Sequence, residues 1–600
     1  MAQHFRGNAP TRFILFSALI VIAALFSVSA QAPDVKAAAR PYVWTDEPDG
    51  CTSIQVGRLA SEDGSVMTAH TCDGNYRNWM AIVPHGKFAA GSKNKIFSGK
   101  MHTEDPADVR GVVQTGEIPQ AAETYQFVNA AYPFMNEAGL AIGETTFGGR
   151  RELYNQEGMF MIEEIERIIL ERCKTAREAI KLAGELIKEY GYGDSGECIT
   201  IADAKEVWHC EFMGEGPLQK GGVWAAVRIP DDHVGISANI CRISEINLKD
   251  PDHYMASENV FKVAQDMGWW KPDGGEPFKF WKAYGGTRKP YSIREFYVFS
   301  TLAPSLKLTQ DLPELPFSVK PEKKVSIRDM FRLYREAYVG TEFDAGKNLM
   351  IPRRQGFGGR GGAPAPAALP PGAKPEAQAK ALAQAKAQAQ QPPAKAEAQQ
   401  PATPPPASEM VRSPLANPWM SNDLAQLANA LKPGAVTPTR SIAINGCAYA
   451  TVIQCRGWLP PAVGTVCWLT LDNPGLSARF PLFAGVTELP APYSIDGQHR
   501  YRADSATWTM RTANRLALVR WGQAQKMMED TIRYFEEKGL TELPTVEKRY
   551  QELLASKTPD KEPFKPNEYV TQYTNDFARA ILGKYEELTA RFWYMMRGGI

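Results

Sequence analysis

The alternation of apolar and polar positions predicts a β-hairpin in the first part of the chain. Its first strand is Cys51–Val56, CTSIQV, and its return strand is Val66–His70, VMTAH. Between them, Glu62-Asp63-Gly64-Ser65 has the composition of a turn. Cys51 is therefore expected at the start of a strand.

A helical pattern replaces this alternation from Met159 to Tyr190, in two pieces. The first piece is MFMIEEIERIILERC. The second begins with a capping box, Thr175 followed three residues later by Glu178, and Gly191 marks its end. Both helices are amphipathic, so we expect them in an outer layer against a sheet.

Four segments after these helices have strand-like alternation or apolar runs: ECITIAD, VWHCEF, VWAAVRI and HVGISANI. They predict a sheet behind the two helices. In the first of the predicted hairpins Cys198 and Cys210 fall nearly opposite one another. Either a cross-strand disulfide or two buried free thiols would fit this spacing.

The chain changes character between residues 353 and 414. Gly, Ala, Pro, Gln and Lys dominate this stretch, and no aromatic residue follows Phe357 within it. So little apolar surface cannot offset the entropy lost on folding. We therefore expect a disordered linker or insert.

Residues 415–600 resume a globular composition, with strands ahead of helices. The apolar patterns SIAING, ATVIQC, TVCWLTL and FPLFAGV precede two long helices, predicted at roughly residues 505–537 and 567–596. This order is typical of helices packed on sheets, an α+β arrangement. The segment either completes the fold of residues 51–352 or stands alone.

The N-terminus has the pattern of an export signal. Arg6 and Arg12 precede an uncharged run from Phe13 to Val28, and small residues follow at Val28-Ser29-Ala30. Residues 1–30 are thus predicted as a secretory signal peptide, with an uncleaved membrane anchor as the alternative. We expect residues 31–50 to be a propeptide and the protein to be periplasmic or secreted, with no stable membrane insertion after signal cleavage.

The net charge and the missing motifs argue against several classes of function. The 600 residues carry 68 basic and 67 acidic side chains, so net charge favours no binding to nucleic acid. No phosphate-binding glycine loop, His-Glu-x-x-His, Cys-x-x-Cys or Gly-x-Ser-x-Gly motif is present in the sequence. We therefore expect neither a metal nor an organic cofactor. The sequence leaves the oligomeric state open, a homo-oligomer included.

The Asp49-Gly50-Cys51 junction offers a different chemistry. A cysteine at a processed N-terminus has a thiol nucleophile and an α-amine base on one residue. An α-amine has a pKa near 7.7 to 8.0, so part of it is unprotonated at neutral pH. Gly50 permits the bent backbone that would bring the Cys51 thiol onto the preceding carbonyl. Taken alone, Cys51 could equally be a small core residue of the strand.

The segment CTSIQVGRLASEDGSVMTAHTCDGN resembles the opening of the N-terminal-nucleophile (Ntn) dipeptidases of the dipeptidase A type, which are related to secernins, choloylglycine hydrolases and penicillin V acylases. Similar segments follow in order: MNEAGLAIGETTFGG, ERCKTAREAIKLAGELIKEYGYG, GECITIADAKEVWHCEF, VWAAVRIPDDHVGISANI and YSIREFYVFSTLAPS. The resemblance covers most of residues 51–350, and residues 415–600 look like the C-terminal part of this family.

The resemblance implies a four-layer αββα sandwich with a helical C-terminal portion, and a catalytic domain over residues 51–352. Cys51 matches the nucleophile. Asp73 matches an aspartate that would orient the Cys51 amine, although it could instead cap the turn at Gly74. Asn239 matches an oxyanion-hole asparagine, with a turn asparagine as the alternative.

Two further positions are less direct matches. Arg294 aligns with a site arginine, or would form a surface salt bridge. His70 stands where the wider superfamily has arginine. A histidine there could donate to the thiolate or the substrate and is expected to titrate near neutrality; the alternative is that it simply ends a strand. The second oxyanion asparagine of the acylases falls near Thr146, so another donor would be needed.

The resemblance implies that the protein is an exported cysteine peptidase acting on dipeptides or short peptides, with an autoprocessed N-terminal Cys51. Two alternatives remain at this point. One is an amidase or acylase acting on N-acyl amino acids or cell-wall peptides. The other is a non-enzymatic binding protein on the same fold.

Overall fold

The computed structural model describes residues 50–286, 289–353, 410–558, 561 and 563–599. The predicted signal peptide at 1–30 and the predicted propeptide at 31–50, except Gly50, lie outside the described residues. Most of the low-complexity segment predicted at 353–414 also lies outside them. Within the described residues, no helix combines the length and the apolar character that a membrane span requires.

The strands of the described residues are short to medium in length and are, in chain order, β1 (Thr52–Val56), β2 (Val66–Asp73), β3 (Ala81–Val83), β4 (Gly86–Lys87), β5 (Lys93–Ser98), β6 (Val113–Pro119), β7 (Glu123–Thr124), β8 (Phe127–Asn129), β9 (Met135–Asn136), β10 (Ala141–Gly148), β11 (Gly196–Ala202), β12 (Val207–Met213), β13 (Val223–Arg228), β14 (Val234–Ser237), β15 (Tyr254–Ala256), β16 (Ser318–Val319), β17 (Met350–Pro352), β18 (Met410–Arg412), β19 (Cys447–Cys455), β20 (Thr465–Leu471) and β21 (Phe480–Phe483).

The α-helices of the same residues are α1 (Ile162–Arg172), α2 (Ala176–Tyr190), α3 (Lys262–Asp266), α4 (Ile293–Leu302), α5 (Ile327–Tyr334), α6 (Asn422–Leu431), α7 (Pro461–Gly464), α8 (Ala506–Val519), α9 (Trp521–Leu554) and α10 (Pro566–Met595).

Two large antiparallel sheets organise the chain. One has the order β16-β14-β1-β2-β19-β20-β21, and the other has the order β15-β13-β12-β11-β10-β9-β8-β3. The predicted hairpin, β1 with β2, lies near the middle of the first sheet. Strand β19 pairs along the free side of β2. The segment after the low-complexity stretch therefore completes a sheet that the first half begins.

The two sheets face each other, and helices pack outside them. Strands β1 and β2 lie against β10, while α1 and α2 contact strands of the second sheet. Helices α8, α9 and α10 pack on β20 and β21 of the first sheet. The fold is thus mixed α and β, with antiparallel sheets and a helical C-terminal part.

The two predicted amphipathic helices are confirmed. Helix α2 has both bonds of the Thr175–Glu178 capping box, and Gly191 closes it with a φ of 86°. The later predictions were less accurate. SIAING forms no strand, and the helix predicted at 505–537 breaks at Arg520 and continues to Leu554.

The alternative of a Cys198–Cys210 disulfide is wrong. Strands β11 and β12 pair Ile199 with Cys210 and Cys198 with Glu211. This offset of one residue sends the two thiols to opposite faces of the sheet, and both are free and buried. The low-complexity segment also ends earlier than predicted, because β18 already begins at Met410.

Candidate active site

Cys51 directly precedes β1 and is buried, with 1% of its surface exposed. The backbone N–H of Gly50 donates to the Asp73 carbonyl at 3.2 Å, which ties the junction to the end of β2. A Cβ atom at residue 50 would overlap the side-chain amide of Asn239. Glycine is therefore required at residue 50 for this close approach.

Arg294 fixes the backbone that follows this junction. It lies in the first turn of α4, behind the capping box of Ser292. Its Nη1 donates to the Cys51 carbonyl at 2.8 Å and to Thr52 Oγ1 at 3.0 Å, and its Nη2 donates to Asn239 Oδ1 at 2.9 Å. The side chain is buried at 1% exposure, so a surface salt bridge does not describe it.

Asn239 follows β14 and turns the chain beside the junction. Its φ of 61° is left-handed, a conformation that asparagine tolerates better than most residues. Its Nδ2 donates to the Thr146 carbonyl at 2.7 Å while Oδ1 accepts from Arg294. These two bonds orient the amide next to Gly50.

Asp73 ends β2 and holds a buried ion pair. Its Oδ2 accepts from Thr71 Oγ1 at 2.9 Å and from Arg440 Nη2 at 2.7 Å. Its Oδ1 is buried and has no hydrogen-bond partner among the described residues. Arg440 also donates to the carbonyl oxygen of Gly50, and so contacts the peptide bond that precedes Cys51.

The sequence carried no signal for Arg440. It lies in the loop between α6 and β19, beyond the low-complexity segment, and no motif surrounds it. The pairing of β19 with β2 brings this loop to Asp73. Residue 70 is a histidine and supplies no guanidinium group. Arg440, from the C-terminal segment, brings one to the site instead.

Two buried carboxyl groups belong to the surroundings of Cys51: Glu144 interacts with its thiol, and Glu197 interacts with Glu144. Glu144 on β10 is fully buried, and its Oε1 accepts from Thr146 Oγ1 at 3.2 Å. Burial raises the pKa of Glu144 to about 7, against interactions with Glu197 and with the Cys51 thiol that lower it. Burial and the charge of Glu144 raise the pKa of Glu197. Both carboxyl groups therefore hold a proton more strongly than an exposed glutamate does.

The thiol itself is neutral near pH 7. Burial raises the pKa of Cys51 well above its ordinary value, and the charge of Glu144 raises it further. A hydrogen bond from the Asp73 backbone lowers it, but by less. A base must accept the thiol proton before Cys51 can attack.

His70 lies in the interior of β2, opposite Ser53 and Thr451. Its Nδ1 is 3.1 Å from Thr451 Oγ1, and its ring packs edge-on against Tyr449. Its Nε2 has no hydrogen-bond partner among the described residues. Burial lowers the pKa of His70 to about 3, so the expectation that it titrates near neutrality is wrong.

The structure therefore brings four of the five predicted residues together. Asp73, Asn239 and Arg294 lie around the Gly50–Cys51 segment, whereas His70 lies further along β2. Thiol, carboxyl and guanidinium groups around one amide are suited to nucleophilic attack on a carbonyl carbon.

Sequence comparisons give this arrangement a context. The model of peptidase family C69 matches residues 50–355 and 419–534, well over half of the chain. A probable dipeptidase of Latilactobacillus sakei is 26% identical over 320 residues, covering 50% of this chain and 62% of the relative.

Other curated relatives agree with this match. A probable dipeptidase of Salmonella dublin is 28% identical over 317 residues, covering 49% of this chain and 68% of the relative. Probable dipeptidase B of Lactococcus lactis subsp. lactis is 27% identical over 327 residues, covering 49% of this chain and 62% of the relative. The chain thus spans under two thirds of the length of the first and third of these relatives.

Proposed function

Because the chain belongs to peptidase family C69, we propose that it is a cysteine peptidase that hydrolyses dipeptides or other short peptides. The observation that carries this proposal is the set of polar groups around Cys51. A thiol placed at the start of a central strand, with its flanking carbonyls held by two buried arginines, is arranged for acyl transfer.

We propose that the two facing sheets, with helices outside each, are the αββα sandwich of the Ntn hydrolases. In this fold the nucleophile begins a strand and becomes the first residue of the mature chain. The family match begins at Gly50, one residue ahead of Cys51, which supports cleavage at this junction. Maturation would follow export to the periplasm or the exterior.

In the mature enzyme, the free amine of Cys51 would accept the thiol proton, since its pKa lies near neutrality. The thiolate then attacks the substrate carbonyl, and the Asn239 amide, which lies beside Gly50, would donate to the oxyanion. The amine passes its proton to the leaving group and afterwards activates water. Asp73 Oδ1, buried without a partner among the described residues, is suited to orient this amine.

The proposal is tested with purified wild-type protein and the variants Cys51→Ala and Cys51→Ser. We expect the wild-type chain to begin at Cys51 by N-terminal sequencing and intact mass, and to hydrolyse dipeptides. Cys51→Ala should retain its leader and lose at least a thousandfold in kcat/KM, because removing a nucleophile leaves only binding effects.

A wild-type chain that keeps residues ahead of Cys51 and still hydrolyses dipeptides would refute the mechanism. Hydrolysis of N-acyl amino acids without that of dipeptides would keep the nucleophile and change the substrate class. Serine in place of Cys51 should slow both processing and turnover, since its hydroxyl is a weaker nucleophile than a thiolate.

A further inference from the structure

Self-cleavage at Gly50–Cys51 raises a chemical problem that the mature enzyme does not have. Before cleavage the nitrogen of Cys51 belongs to an amide bond and cannot act as a base. Burial also raises the pKa of the thiol, so it does not ionise unaided near pH 7. A different group must take the first proton.

Glu144 is placed to do this. Its carboxyl group interacts directly with the Cys51 thiol, and both side chains are buried, at 0% and 1% exposure. The Oε1 atom is engaged by Thr146, whereas Oε2 accepts no hydrogen bond of ordinary length among the described residues. One oxygen therefore positions the carboxyl group and the other is available to the thiol.

Glu197 keeps Glu144 in the state that can accept a proton. The two side chains interact, and this interaction lowers the pKa of Glu144 while it raises that of Glu197. For self-cleavage, Glu197 would keep its proton and Glu144 would act as the acceptor. A buried acid with a pKa of about 7 is well matched to proton transfer near neutral pH.

The electrophile, the carbonyl group of Gly50, is held by Arg440. The carbonyl oxygen of Gly50 accepts from the Arg440 guanidinium, and that guanidinium is fixed by Asp73. A cation on this oxygen stabilises the negative charge that develops when the carbonyl is attacked. Asn239 packs against Gly50 and limits its movement.

We propose that Glu144 is the proton acceptor for Cys51 in self-cleavage of the Gly50–Cys51 bond, with Arg440 stabilising the oxyanion of Gly50. The inference rests on the function proposed above. It assigns the two proton-acceptor roles to different groups: Glu144 before cleavage, and the amine of Cys51 afterwards.

The step balances as follows. Glu144 takes the proton from Sγ, and the sulfur electron pair forms a bond to the carbonyl carbon of Gly50 in a five-membered ring. The C–N bond then breaks, and the nitrogen receives the proton held by Glu144, which leaves a thioester and a free amine. Water adds to the thioester carbon and the C–S bond breaks. One proton of the water goes to the sulfur and the other to the free amine, which releases the carboxylate of Gly50 and restores the Cys51 thiol.

The test compares full-length wild-type protein with Glu144→Gln, which keeps the shape of the side chain and removes its basicity. Cleavage is followed by intact mass and N-terminal sequencing over time. The matched control is Glu166→Gln on α1, another fully buried glutamate whose pKa burial raises, with neither oxygen hydrogen bonded among the described residues. We expect cleavage at least a hundredfold slower in Glu144→Gln and close to wild type in the control.

A second form of each protein separates processing from peptide hydrolysis. Ubiquitin replaces residues 1–50, so that its C-terminal glycine precedes Cys51 and a deubiquitinating enzyme releases the chain. The released chain then begins at Cys51, as the proposed mature protein does. Once released, Glu144→Gln should hydrolyse alanyl-alanine within about tenfold of wild type, because the amine of Cys51 is then the base.

Two results would overturn the inference. One is self-cleavage of Glu144→Gln at the wild-type rate. The other is a released Glu144→Gln protein that melts like wild type but is inactive. Glu144 would then be needed for peptide hydrolysis and not specifically for self-cleavage. A wild-type chain that never cleaves at Cys51 refutes the function proposed above, and is recognised without any variant of Glu144.

Discussion

His70 lies where water cannot solvate an imidazolium ion, with its ring between Tyr449 and Thr451. Burial lowers its pKa from 6.5 to about 3. Between these two values the unfolded chain binds a proton that the folded chain does not. The free energy of unfolding therefore rises with pH in this window, and the stabilisation is lost as pH falls below the unfolded value.

We predict that His70→Gln removes this pH dependence. Relative to the variant, the wild-type protein should lose about 1–2 kcal/mol of unfolding free energy between pH 6.5 and pH 5, since each pH unit in the window corresponds to about 1.4 kcal/mol. Urea denaturation of both proteins at several pH values measures the difference. Parallel curves would contradict a depressed pKa.

Single residues also show where sequence reasoning reached its limit. Asp73, Asn239 and Arg294 could be proposed because each lies in a segment that resembles a known family. Arg440 could not, because a lone arginine in a loop has no pattern. Glu144 was visible in such a segment, but its role depends on desolvation and on Glu197, which are properties of the packed interior.

At the scale of elements, α9 approaches the first sheet unusually closely at Gly539. A Cβ atom there would lie 2.7 Å and 3.1 Å from ring atoms of Trp468 on β20. That ring is fully buried, and its Nε1 donates to Gln454 at 3.0 Å, so it cannot move aside. Glycine at residue 539 lets α9 pack closely on the sheet, and the helix continues beyond it.

We predict that Gly539→Ala destabilises the protein by about 1–2 kcal/mol. Overpacking costs about 1–3 kcal/mol, and the better helix propensity of alanine returns about 0.5–1 kcal/mol of this. The control is Gly583→Ala in α10, where a Cβ atom meets nothing within 4 Å. It should stabilise by about 0.5–1 kcal/mol in the same denaturation experiment. Equal effects at both positions would contradict the packing argument.

Helix α9 extends beyond residue 537, where the sequence predicts its end, to Leu554. Gly539 and Pro544 are local signals that a helix ends, yet α9 continues through both to Leu554. Beyond Pro544 it still buries Val546, Tyr550 and Leu553. The burial of this apolar stripe outweighs the lost backbone hydrogen bond, and local patterns do not contain that term.

At the scale of the whole molecule, the ends of the low-complexity segment meet. Strand β17 pairs with β18, joining Met350 to Arg412 across the stretch outside the described residues. Nearby, Arg412 forms an ion pair with Asp344. These contacts hold the two flanking segments together independently of the residues between them.

We predict that residues 354–409 can be replaced by a short Gly-Ser linker with little loss of stability. Loop-closure entropy changes by only about 0.6 kcal/mol for each doubling of loop length, so shortening should not be harmful. Melting temperature should stay within a few degrees, and dipeptide hydrolysis within about twofold. Loss of folding would show that the segment itself contributes to the core.

The sequence by itself determined the local features of this protein: the β1–β2 hairpin, the capped helix α2 and the family to which the Cys51 junction belongs. Those depend on residues close together in the chain. Only the tertiary structure decided that β19 completes the sheet of β2, that Arg440 reaches Gly50, and that Glu144 is buried close enough to interact with the thiol. These depend on long-range pairing and on burial, which remove groups from water and set their charge, and no local pattern encodes either.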